Sequence, residues 1–180
     1  MSASFLPVPR RAVIGWSGGR PAALRFLPRF LFADAWPAWR YILVAWPLVA
    51  IPTLVLGWAA TRLFPGLPGP SLGDASTGMI VCSVVFLSPA VETVMMTGPV
   101  VLIDRVAGPT AAAIGSALLW GVAHSLMAAR WGLVIWWPFL IFSVAYLSWR
   151  GRGYWRAVGL VAAIHALNNA GPIAASLLFR

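Results

Sequence analysis

The feature that most constrains this chain is the placement of its few charges. Arg40 and Arg62 enclose 21 uncharged residues, Arg130 and Arg150 enclose 19, and Arg156 and Arg180 enclose 23. Asp74 and Asp104 bound a longer run whose only charge is Glu92, and Arg105 and Arg130 bound one that contains His124. Each run is long enough to cross a hydrocarbon core of roughly 30 Å. In such a core only helices and closed barrels satisfy their backbone, and these runs lack the alternation of a barrel strand. The expected fold is all-α: a polytopic transmembrane helix bundle of about five spans. With 61% hydrophobic and 9% charged residues, the chain is neither disordered nor an ordinary soluble domain.

The formal charge of +9 does not point to nucleic acid. All 13 basic residues are Arg, set singly between apolar runs, where they act as orientation signals and lipid-headgroup contacts. Membrane lipid is therefore the expected partner, with no nucleic acid. Cys82 is the only cysteine, which excludes an intrachain disulfide.

Residues 1–39 read differently from residues 40–180. Six Arg fall between Arg10 and Arg40, with repeated prolines at Pro7, Pro9, Pro21, Pro28 and Pro37. No apolar stretch there precedes a small-residue cleavage site, so a cleaved signal peptide is not expected. The stretch Leu24–Trp39 mixes Phe, Leu and Trp with Arg25 and Arg29, which suits a cytoplasmic, interfacial segment. Residues 40–180 form the transmembrane domain. With the N-terminus in the cytoplasm, that side holds 10 of the 13 Arg, and Arg62, Arg130 and Arg180 lie opposite. Ala162, Ala166, Ala170 and Ala174, and likewise Ala111 and Gly115, give small-residue faces suited to close helix packing.

Four polar residues stand out within the spans. Glu92 is the only glutamate, and an acid at the membrane centre costs roughly 2.5–3.5 kcal/mol on insertion scales. His124 and His165 are the only histidines, and both lie in uncharged runs. His165 and Asn169 are four apart and share a helix face, whereas Asn168 points about 100° away. A carboxylate beside a neutral imidazole can hold a water and take its proton. A second His and an amide can donate to the oxyanion formed when a peptide carbonyl is attacked. The chain has no G-x-S-x-G and no H-E-x-x-H.

These residues sit in three ordered motifs: Ser88-Pro89-Ala90-Val91-Glu92-Thr93 running on to Thr97-Gly98, then Trp120-Gly121-Val122-Ala123-His124, then His165-Ala166-Leu167-Asn168-Asn169. In order and spacing, over residues 78–170, this resembles the CPBP family of intramembrane proteases, which includes CAAX prenyl endopeptidases and bacterial Abi relatives. The family pattern is E-E-x-x-x-R, then F-x-x-x-H, then H-x-x-x-N or D. Here Thr93 stands in place of the second Glu, Thr97 in place of the Arg, and Trp120 in place of the Phe. Loss of the Glu and Arg together is coherent, because either ion alone would be left unpaired in the membrane. The resemblance implies a divergent branch: an endopeptidase acting on a membrane-associated peptide or protein. Glu92 and His124 would activate water, and His165 with Asn169 would stabilise the oxyanion. A metal-free site is the favoured expectation; the alternative is zinc held by Glu92, His124 and His165 as a His₂Glu set. The expected location is a bacterial inner membrane, with the N-terminus in the cytoplasm. The competing function is a non-catalytic immunity-like or chaperone-like partner that keeps the family fold. One tension remains in a straight-helix picture. His124 lies only six residues before Arg130, so its depth differs from that of Glu92 by roughly 10–15 Å.

Overall fold

The computed structural model describes residue 16, residues 19–71 and residues 75–178, with side chains through residue 174. Arg10, Arg11, Asp74 and Arg180, used above to read orientation and span limits, lie outside the described residues. Every regular element is helical, and among the described residues there is no strand. Two 3₁₀ turns, Ala22–Leu24 and Arg29–Phe32, precede α1, Ala38–Leu63. A short helix α2, Thr77–Ile80, passes through a π-helical stretch, Val81–Leu87, into α3, Ser88–Met127. Helix α4 is Ala129–Trp149 and α5 is Tyr154–Leu178. Among the described residues four helical runs are long and apolar enough to cross a membrane: α1, the continuous run Thr77–Met127, α4 with its terminal turn, and α5.

The run Thr77–Met127 departs from the sequence expectation of two spans meeting at Asp104 and Arg105. It contains 51 residues and continues through both charges. At about 1.5 Å per residue a straight helix of that length would be more than twice the thickness of the hydrocarbon core. It is not straight, because Gly108 breaks it with φ 81° and ψ 172°. That region of backbone space is open essentially to glycine alone. Pro109 follows, which disfavours the helical conformation at residue 108 and suits the first position of a new helical arm. The two arms of α3 fold back on each other. A Cβ at Gly115 would touch the Ile103 side chain at 3.0 Å, so the small residue at 115 lets the arms close.

Gly108→Ala should therefore destabilise the bundle by about 1–3 kcal/mol. Gly98→Ala is the control, since Gly98 lies within a helical arm and a Cβ added there would meet nothing within 4 Å. Thermal unfolding in detergent should show a lower midpoint for Gly108→Ala and no loss for Gly98→Ala. Equal midpoints would remove the special role given to Gly108.

Helix α4 is the central element and is mostly buried, whereas most of α1 is exposed or half-buried. A single extended residue, Ala128, joins it to α3. The elbow is tight because Gly121 and Gly132 face each other; a Cβ on Gly132 would collide with the Ser125 hydroxyl and the Gly121 carbonyl. Helix α1 rests on α4 partly through Pro52. That proline has no N–H for the Leu48 carbonyl four residues earlier. The Trp137 indole donates to that carbonyl instead, at 2.9 Å.

The first turns are part of this same core. Leu24, Leu27 and Leu31 are fully buried in it. The Leu31 carbonyl accepts from Tyr41 at 2.9 Å and from Ser148 at 2.6 Å. On α5 the buried face is Val161, Ile164, His165 and Asn168, while Ala162, Ala166 and Ala170 are half-buried and Ala174 is exposed. The alanine stripe is thus not the main packing face of α5.

Candidate active site

Glu92 and His124 lie sixteen residues before and sixteen residues after Gly108. A hairpin at that glycine brings them to the same depth, which removes the mismatch of the straight-helix picture. The His124 Nε2 is 3.9 Å from Glu92 Oε2. The His165 Nε2, arriving from α5, is 4.0 Å from the same oxygen. Three helical segments therefore converge on one carboxylate oxygen. The other oxygen, Oε1, accepts a hydrogen bond from Ser88, one turn earlier on α3. A hydrogen bond to a charged group is worth about 1.5–3 kcal/mol, comparable with the cost of placing the acid in the membrane.

The two imidazoles face Glu92 in different states. The His124 Nδ1 lies 2.9 Å from the Trp120 carbonyl. A carbonyl only accepts, so Nδ1 carries the proton and Nε2 presents a lone pair to the site. The His165 Nδ1 is buried with no hydrogen-bond partner. A buried orphan N–H is rarer than an orphan acceptor, which assigns the proton of His165 to Nε2, facing Glu92. Aromatic rings fix both. Trp131 meets His124 edge-on at 4.7 Å, Phe142 lies 4.6 Å from His165, and Phe139 contacts both at 5.8 and 5.6 Å.

The site opens into a cavity of about 380 Å³. Glu92, Ser88, His124, His165, Asn168 and Asn169 line its polar side, and Trp131, Val134, Ile135, Pro138, Phe139 and Ile173 its apolar side. Pro70 and Ser71 of the α1–α2 loop also line it, near the start of α4, where the Arg130 N–H donates to the Pro68 carbonyl at 3.1 Å. A cavity of that size holds several waters, each of roughly 30 Å³ in the liquid.

All four residues singled out by sequence, Glu92, His124, His165 and Asn169, line this one cavity. Asn169 also has a structural bond: its amide donates to the Val84 carbonyl in the π-helical stretch, at 3.0 Å. Such stretches recur at functional sites because their altered backbone bonding frees groups for side chains. Asn168 is not turned away from the cavity, as an ideal helix wheel implies. It is 6% exposed, lines the same wall and lies 3.4 Å from the Asn169 side-chain oxygen. Sequence reasoning assigned no role to Ser88, although its position four residues before Glu92 was a usable signal. The wall residues Trp131 and Phe139 carry no such signal within an aromatic-rich helix. Of the two substituted motif positions, Thr93 is buried without a side-chain partner. Thr97 donates to the Val94 carbonyl at 2.8 Å and lies 3.2 Å from the Tyr154 hydroxyl, tying α3 to the start of α5.

The trio is wider than a zinc shell as it stands. Two ligands of one tetrahedral zinc, each about 2.0–2.2 Å from the metal, lie roughly 3.4 Å apart, closer than the two His–Glu separations here. A zinc-bound histidine also hands its other ring N–H to a partner. His124 does so through Trp120, but His165 does not. Comparison with known proteins gives no further guide: no family model, curated protein or solved structure matches the chain.

Proposed function

We propose that this chain is an intramembrane endopeptidase that hydrolyses a peptide bond of a membrane-associated substrate without a metal. The observation that carries the proposal is the convergence of His124 and His165 on one oxygen of Glu92, inside a cavity at least partly lined by apolar residues. The motif resemblance to CPBP proteases supports it independently.

In this mechanism a water sits between Glu92 Oε2 and the lone pair of His124 Nε2. Glu92 takes its proton as the oxygen attacks the peptide carbonyl. The carbonyl oxygen becomes negative and accepts from His165 Nε2–H and from an amide of Asn169 or its neighbour Asn168. Collapse breaks the C–N bond, and the proton held by Glu92 passes to the leaving nitrogen. Ser88 keeps Oε1 occupied, so Oε2 does the chemistry. An extended substrate in a membrane also needs acceptors for its own N–H groups. Pro138 and Pro172 lie within helices and border the cavity, and each leaves a carbonyl four residues earlier, at Val134 and Asn168, without its usual donor.

The proposal includes five membrane crossings, with the bend at Gly108 dividing the run Thr77–Met127 in two. The Arg-rich end faces the cytoplasm of a bacterium, the chain lies in the inner membrane, and residues 22–39 lie at the inner interface. The cavity mouth beside Pro70 and Ser71 is then on the outer side. This orientation has its own test, in a Cys82→Ser background because Cys82 is exposed. Gly66→Cys should react with an impermeant thiol reagent in intact cells, and Gly151→Cys only after permeabilisation. The reverse pattern would invert the topology.

A second reading, a non-catalytic partner that keeps the fold, is favoured only by Thr93 and Thr97, which replace the motif's ion pair. The deciding experiment is incubation of the purified protein in nanodiscs with peptides from its own membrane fraction, with mass-spectrometric detection of new termini. New termini that depend on the protein support hydrolysis. Their absence, with specific capture of a membrane protein, supports the second reading.

A further inference from the structure

We propose that the first turns of the chain form a binding site for the phosphate of an anionic lipid headgroup. The site is a cleft of about 720 Å³ lined by Gly19, Arg20, Arg25, Arg29, Phe32 and Ala33. Three guanidinium groups share it, and among the described residues no acidic side chain lines it. The described acids are committed elsewhere. Asp34 pairs with Arg152 at 2.8 Å, Asp104 pairs with Arg150 at 2.7 Å, and Glu92 belongs to the cavity described above. Three like charges in one cleft repel, and an anion relieves that repulsion. Planar guanidinium forks match phosphate oxygens geometrically.

The cleft is built rather than draped. Leu24, Leu27 and Leu31 are buried at 2% exposure or less, which anchors the backbone that carries the three arginines. Arg20 is pinned, because one guanidinium nitrogen donates to the Leu27 carbonyl at 2.8 Å, leaving its remaining N–H groups for a ligand. Trp16 fastens the preceding turn to α4 through the Ser148 hydroxyl at 2.9 Å. Arg20, held in this way, loses little freedom when an anion binds, and Arg25 and Arg29 are exposed beside it.

A lipid, rather than free phosphate, is the source that suits the position. Phe26, between Arg25 and the buried Leu27, is 62% exposed. Its ring lies 6.2 Å from that of Trp137 on the apolar helix α4. An exposed aromatic beside a basic cleft suits the boundary between acyl chains and headgroups. This site does not depend on the peptidase reading, and neither outcome below bears on cleavage.

The test is native mass spectrometry of the full-length protein released from micelles containing phosphatidylglycerol or phosphatidylcholine. The wild type should retain one phosphatidylglycerol in preference to phosphatidylcholine. Arg25→Gln/Arg29→Gln, which leaves the Arg20–Leu27 bond in place, should weaken retention by about fivefold for each guanidinium removed. Arg62→Gln/Arg156→Gln removes the same charge elsewhere and should retain the lipid. Equal retention by all three proteins, or no preference between the two lipids, would overturn the site. Displacement of the lipid by millimolar inorganic phosphate would assign the cleft to a soluble phosphate and overturn the lipid proposal.

Discussion

Glu92→Gln should abolish cleavage while leaving the protein folded and inserted. Glutamine matches the shape of the side chain, and its carbonyl oxygen can still accept from Ser88. What it loses is the capacity to take a proton from water. Removing a general base costs roughly 10²–10⁴-fold in rate. Initial rates on a cleaved membrane peptide, with thermal midpoints measured beside them, separate lost chemistry from lost structure. A Glu92→Gln protein that keeps its rate would exclude Glu92 as the base.

His124→Ala should be about as severe, for a reason that shows in the double variant. In the proposed mechanism its Nε2 lone pair, fixed by the Nδ1 bond to Trp120, holds the water against Glu92 Oε2. Without it the water is held by Glu92 alone and its attack is no longer directed. Groups that act as one unit are not additive. Glu92→Gln/His124→Ala should therefore be no slower than the slower single variant. A loss equal to the product of the two single losses would mean that His124 acts independently of Glu92. The ring also fills space between Trp120, Trp131 and Phe139, so a lowered thermal midpoint accompanies the kinetic loss.

Much of the architecture was legible because charge is expensive in a membrane. The charge brackets Arg40–Arg62 and Arg130–Arg150 lie within two residues of the ends of α1 and α4. The exact position of the α3 bend was not legible. Asp104 and Arg105 looked like a boundary, but Asp104 pairs with Arg150 and lies within the helix. The turn is made by Gly108-Pro109, and the same dipeptide occurs at 69–70 in a loop and at 98–99 and 171–172 within helices. Local sequence marks a permitted turn, and tertiary packing decides which one is used. The Ile103–Gly115 contact is such a packing constraint.

The candidate site was legible where the residue type was costly. A lone Glu and two His in apolar runs had to be satisfied by one another or by water. The supporting residues were harder to see. A serine, an aromatic or a leucine is inexpensive wherever it sits, so neither Ser88 nor Phe139 was distinguished from its neighbours. The burial of Leu24, Leu27 and Leu31 was hidden for a related reason: their spacing is interrupted by prolines and arginines, and no single period describes it.

Everything proposed for catalysis depends on Glu92 sharing one oxygen with two imidazoles. The composition makes that testable without a substrate, because the chain has one glutamate and two histidines. Labelling glutamate with ¹³C at its carboxyl and histidine with ¹⁵N at Nε2 is then site-specific. A rotational-echo dipolar measurement on the protein in lipid should show the Glu92 carboxyl carbon coupled to both rings. The coupling should match Nε2–Oε2 separations of 3.9 and 4.0 Å, and each variant lacking one histidine should keep the coupling to the other. A glutamate carboxyl coupled to only one histidine, or to neither, would contradict the convergence and with it the site.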